Sequence, residues 1–110
     1  MGLSPVSFND EAKSLAVEGK PDEELFYDYD GLLKLLDVCQ KHAVVILGIE
    51  GFNKVDSFIE PNDDALADFS SLSNCSREQL VKDSIVESRR FLESIDFPQE
   101  LLWSVVTDIA

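Results

Sequence analysis

Apolar residues in this chain recur at helical spacing, then run without interruption, then return to helical spacing. Leu32, Leu35, Leu36 and Cys39 form one stripe, widened by Leu33 and Val38, while Lys34, Asp37, Gln40 and Lys41 take the other side. Asp30 has the chemistry of an N-cap, so a helix is expected from there through about His42. The period then changes. Ala43-Val44-Val45-Ile46-Leu47 is a continuous apolar run of β-branched character, the pattern of a central strand covered on both faces. Gly48-Ile49-Glu50-Gly51-Phe52-Asn53 punctuates it. Residues 55–60 alternate as a neighbouring strand, Pro61 to Asp64 is turn chemistry, and residues 65–72 cross to the last helix.

That helix opens on a capping box of Ser76 and Gln79, and Val81, Ile85, Ser88, Leu92 and Ile95 keep helical spacing. Arg89 and Arg90 lie near its C-terminal end, where the helix dipole favours cations, and Pro98 stops it. Near the N-terminus, Ser7 and Asp10 mark a short helix over residues 11–18, ended by Gly19 and Pro21. Residues 101–109, rich in Leu, Trp, Val and Thr, read as a terminal strand. No repeat or low-complexity tract appears. The expected fold class is α/β (α+β): one domain over residues 1–110, with three main helices on a small mixed or antiparallel sheet of three to four strands.

Composition supports a packed core, since 45% of the 110 residues are hydrophobic. Charge changes the picture more. There are 22 acidic residues against 9 basic ones, a net −13. Such a field repels nucleic acid and anionic membrane, whose phosphates need Lys and Arg to displace counterions. It attracts basic proteins and can speed their encounter by roughly 10 to 1,000 fold at low salt. Acidity that merely keeps the protein soluble and monomeric is the competing account. No apolar run reaches the roughly 18 residues that span a bilayer, and the N-terminus lacks a signal-peptide pattern, so a cytosolic, reduced protein is expected.

Catalytic chemistry is poorly served. The one histidine, His42, lies where a helix meets a buried strand, a position suited to a helix C-terminus. Cys39 precedes it by three positions but belongs to the core stripe, and Cys75 lies far away in sequence. Asp28, Asp30, Gly31 and Asp37 fall at positions 3, 5, 6 and 12 of an EF-hand count, yet position 1 is Phe26. Asp63, Asp64 and Asp68 could meet across a turn, although a solvated turn with a helix start explains them better. No Cys/His spacing suggests zinc and no Gly-rich phosphate loop is present. Neither a metal nor another cofactor is expected. An unmarked carboxylate pair remains the one enzymatic alternative.

What stands out is where the acids fall. Residues 21–31 hold five acids and no base, with Phe26, Tyr27 and Tyr29 among them. Residues 55–76 hold five more, Asp56, Glu60, Asp63, Asp64 and Asp68, again without a base and with Phe58 and Phe69. Acids set encounter rate and orientation, while aromatics supply anchor area. Tyr27, Asp28, Tyr29, Asp30, Asp56, Glu60, Asp63, Asp64 and Asp68 are therefore the candidate partner-binding residues. The tyrosines could equally be core anchors.

The run Ala43 to Phe52 after a Leu-rich helix resembles bacterial toxin-immunity proteins. So does the continuation: Glu60-Pro61, Asp68-Phe69, then a helix with Ser84, Arg89, Arg90 and Phe91-Leu92. The nearest pattern is the immunity protein 40 group of polymorphic-toxin and contact-dependent growth inhibition systems, over residues 27–108. The resemblance implies an α/β fold, bacterial cytosol, no enzymatic activity and one cognate toxin domain bound as a 1:1 complex by a monomer. It transfers no site residues. The acidity adds that the toxin would be basic, as a nuclease cleft is. An acidic adaptor that binds a basic peptide or protein is the alternative.

Overall fold

The computed structural model describes residues 7–17, 24–56, 58–73 and 76–108. Their elements in chain order are α1 (Phe8–Leu15), α2 (Tyr29–Lys41), β1 (Ile46–Val55), β2 (Phe58–Asp68), α3 (Arg77–Glu93), a 3₁₀ turn (Pro98–Glu100) and β3 (Leu102–Thr107). The strands form an antiparallel sheet in the order β2-β1-β3, and with the three helices make a small α+β fold. The expected helix end at Glu18, the stops at Gly19 and Pro21, and Cys75 lie outside the described residues.

α2 starts two residues earlier than the pattern suggests. Its N-cap is Asp28, whose Oδ1 accepts the Gly31 N–H at 2.7 Å, while Asp30 sits in the first turn and pairs with Lys34 at 3.2 Å. The cause lies one residue upstream. Tyr27 exchanges two 2.8 Å backbone hydrogen bonds with Trp103 on β3, which holds the chain extended up to Asp28 and lets the helix begin there. Gly31 is required at this start, because a β-carbon would stand 2.9 Å from the capping Asp28 oxygen and 3.0 Å from the Leu15 carbonyl. At the other end Ala43 adopts a left-handed φ of 55°, and the Val44 N–H returns to the Cys39 carbonyl at 2.8 Å. That turn consumes residues 43–45, so the strand expected from Ala43 begins at Ile46.

β1 then runs straight through the two glycines that looked like punctuation. Gly51 is a close-approach position: a β-carbon there would lie 2.8 Å from that of Ala65 and 3.1 Å from both Leu101 and Trp103. The span 55–60, expected as one strand, contains the hairpin turn instead, with Asp56 at φ 53°, a conformation Asp tolerates better than most residues. Pro61 to Asp64, expected as a turn, lie within β2. The register explains their composition: residues 62–65 of β2 stand opposite the single residue Gly51, a bulge on an edge strand.

α2 and α3 pack against each other and against one sheet face. Leu32, Leu35, Leu36, Cys39, Ile49, Val81, Ile85, Leu92 and Trp103 fill the space between. Ser84 and Ser88 are fully buried on the inner side of α3. The Ser84 hydroxyl donates to Val81 O at 2.9 Å and accepts the Ile46 N–H at 3.1 Å; Ser88 donates to Ser84 O at 2.7 Å. Small, internally satisfied hydroxyls let α3 approach the start of β1 closely. α1 packs on α2, secured by Glu11, which meets Lys41 at 2.6 Å and His42 at 2.8 Å.

Candidate functional site

Residues 27–30 of the first acidic block and the second block on β2 lie at opposite edges of the sheet. Tyr27 extends the sheet beyond β3, whereas β2 forms the other edge, about 14 Å away at three strand spacings. In the first block Tyr27 is buried to 4% exposure and its ring belongs to the core. Asp28 is occupied as a helix cap, Tyr29 is half-buried against the core, and Asp30 is exposed beside Lys34. Asp22 and Glu23 lie outside the described residues. In the second block Asp56 marks the hairpin turn, Glu60 is exposed on β2, Asp63 and Asp64 ride on the bulge, and Asp68 lies at the strand's end opposite Gly48.

The fold adds residues that the sequence pattern did not bring together. Between the bulge and the α3–β3 connection lies a cleft of about 450 Å³ lined by the three acids Asp64, Asp96 and Glu100 and one base, Lys54, with Asn53, Asn62 and Phe97 beside them. Asn62 shapes the bulge by donating to Asn53 Oδ1 at 3.3 Å and accepting the Asp64 N–H at 3.0 Å. The opposite wall is pinned from inside. Trp103, wholly buried, stacks edge-on with Phe91 and donates its indole N–H to the Pro98 carbonyl at 3.0 Å. With Pro98 held, the preceding Phe97 takes a left-handed φ of 55° and stands 66% exposed. A bulky residue there costs on the order of 1 kcal/mol in backbone strain. The available signal was an acid and an aromatic directly before a proline, in a stretch whose only evident meaning was a helix stop.

Phe58, 69% exposed, and Val55 extend the apolar character to the hairpin tip. The end of the molecule carrying the hairpin, the bulge and the connection thus combines carboxylates with solvent-facing aromatic area, the composition that anchors protein interfaces.

The remaining chemical candidates are engaged in structure. His42 Nε2 contacts Glu11, and its ring meets Phe8 edge-on at 6.0 Å. Cys39 is buried, and burial first, with the charge of Asp108 second, pushes its thiol up to about 12, so it stays protonated. Partial desolvation opposes ionisation of Asp108. Arg77 at 2.7 Å and the Val45 N–H at 3.0 Å outweigh that cost and hold its carboxyl below the ordinary value. Asp63, Asp64 and Asp68 are spread along an extended strand rather than gathered at a turn. Among the described residues no cluster of His, Cys, Asp and Glu is placed to hold a metal, and no helix is long and apolar enough to cross a membrane. Every buried side-chain polar atom among them has a partner.

No family model, curated protein or solved structure matches this chain.

Proposed function

We propose that this protein binds a basic protein domain and neutralises it, as an immunity protein neutralises a cognate toxin. The observation that carries the binding is the cleft in which Asp64, Asp96 and Glu100 outnumber the single base Lys54, with Phe97 held outward beside it. A net charge of −13 draws in a cationic surface from a distance, and the exposed aromatic gives the docked complex its anchor. A basic nuclease cleft is the natural counterpart: carboxylates stand where its phosphates would lie. The toxin part of the reading rests on the resemblance of residues 43–52 and their continuation to immunity proteins.

The test is whether the chain protects growing bacteria from the toxin encoded directly upstream of its gene and co-purifies with it. Reversing charge at Asp63 and Asp64 is expected to slow association and flatten its dependence on salt. Phe97→Ala is expected to speed dissociation with little effect on association, because an exposed ring contributes nothing to the fold but much to a buried interface. Binding to a basic protein without protection would assign the same surface to an adaptor.

A further inference from the structure

The sheet face turned away from α2 and α3 carries a second feature. Register places Leu66, Glu50 and Ser104 side by side in one row across the three strands, and Asp68, Gly48 and Val106 in the next row on the same face. The row between them, Ala67, Ile49 and Val105, points the other way, toward the helices. Gly48 projects no side chain, so a groove of about 380 Å³ opens over it. Leu66 and Val106, its apolar walls, are 60% and 58% exposed. Uncovered aliphatic residues on adjacent rows of a sheet form a surface that gains from being covered.

The rim of this groove is acidic throughout, with Glu24, Glu50 and Asp68 and no base among the lining residues. Two of the three carboxylates are held in position. Ser104 donates its hydroxyl to Glu24 at 2.5 Å, and the Ser70 N–H donates to Asp68 at 2.8 Å. Glu50 and Asp68 are diagonal neighbours on adjacent strands, about 7 Å apart, so one cation placed between them meets both. Among the described residues no ion pair neutralises any of the three. An apolar floor with carboxylates at its margin matches a side chain that has an aliphatic stem and a cationic head. It does not match a purely apolar partner, which would bury those charges, or a phosphate-bearing one, which they would repel.

We infer that this face docks a lysine- or arginine-bearing segment of a protein partner, its stem over Gly48 between Leu66 and Val106 and its cation among Glu24, Glu50 and Asp68. The inference rests on the reading that the partner is a basic protein, and adds a second contact surface away from the Phe97 cleft.

The experiment is an NMR titration of the ¹⁵N-labelled full chain with a blocked peptide of alternating arginine and leucine, and separately with spermidine. The peptide is expected to shift the amides of Gly48, Glu50, Ser104 and Val106. Glu50→Gln and Leu66→Ser, both solvent-accessible changes that spare the core, are each expected to weaken it by about tenfold. Peptide shifts confined to the hairpin and the Phe97 connection would overturn the inference. So would spermidine binding as tightly as the peptide and indifferently to Leu66→Ser, since the apolar floor would then play no part. Toxin protection separates the two readings. Protection lost with Phe97→Ala but untouched by both groove variants sinks this inference alone, whereas groove binding of the peptide without protection sinks only the toxin reading.

Discussion

Gly51 shows how one missing side chain organises both the core and the cleft. It lets Trp103, Leu101 and Ala65 converge on β1, and Trp103 in turn pins Pro98 and thereby orients Phe97. Gly51→Ala is expected to destabilise the protein by about 1–3 kcal/mol, because the added methyl would sit 2.8 Å from a β-carbon on a neighbouring strand. Gly48→Ala, whose nearest neighbour is the Ala67 carbonyl at 3.1 Å, is expected to cost less. Urea unfolding of the two variants checks the order, and an equal cost would remove the special role assigned to Gly51. Neither role is visible in sequence, where a Gly-x-x-Gly spacing reads as punctuation. What distinguishes a strand glycine from a turn glycine is the atom that crosses it from another strand.

At the scale of elements, α1 is a small helix attached to α2 through a charged clasp. Hydrogen bonds first from Lys41 and then from His42 lower the Glu11 carboxyl from its ordinary value. A depressed folded pKa means that Glu11 contributes stability above the unfolded value of about 4.3 and loses it as the pH falls from there through the folded value. Hydrogen-exchange protection of the α1 amides is therefore expected to drop on acidification through that range. In Glu11→Gln it is expected to be low already at neutral pH and nearly flat across the same window; protection in the variant that matched the parent would show that α1 is held by packing alone. The helices were readable beforehand because capping and 3.6-residue periodicity are local. Ser7 and Ser76 cap as expected, each accepting the N–H three residues on, although the Gln79 side chain turns to Asp83. β2 was not readable, because an edge strand tolerates Pro61 and a bulge that in isolation have the composition of a turn.

At the scale of the whole molecule, charge is set against packing. Ion pairs on the helices, such as Asp37–Arg89 and Glu87–Arg90, are largely exposed and contribute little, whereas a net −13 pushes the folded chain apart. Raising ionic strength shortens the Debye length from about 30 Å at 0.01 M to about 8 Å at 0.15 M. The thermal midpoint is accordingly expected to rise over that range; a fall would mean that attractive pairs, not repulsion, dominate the surface. Binding of a basic partner should weaken over the same range, so the two salt dependences run in opposite directions. Sequence alone determined the acidity, the helices and the α+β class, because charge is additive and helical periodicity is written in consecutive residues. Only the tertiary structure decided that residues 27–30 and the second acidic block lie at opposite sheet edges, that Tyr27 belongs to the core, and that Asp96, Phe97 and Glu100 line one cleft with Asp64. Those outcomes depend on strand order and register, which arise from contacts between residues far apart in the chain.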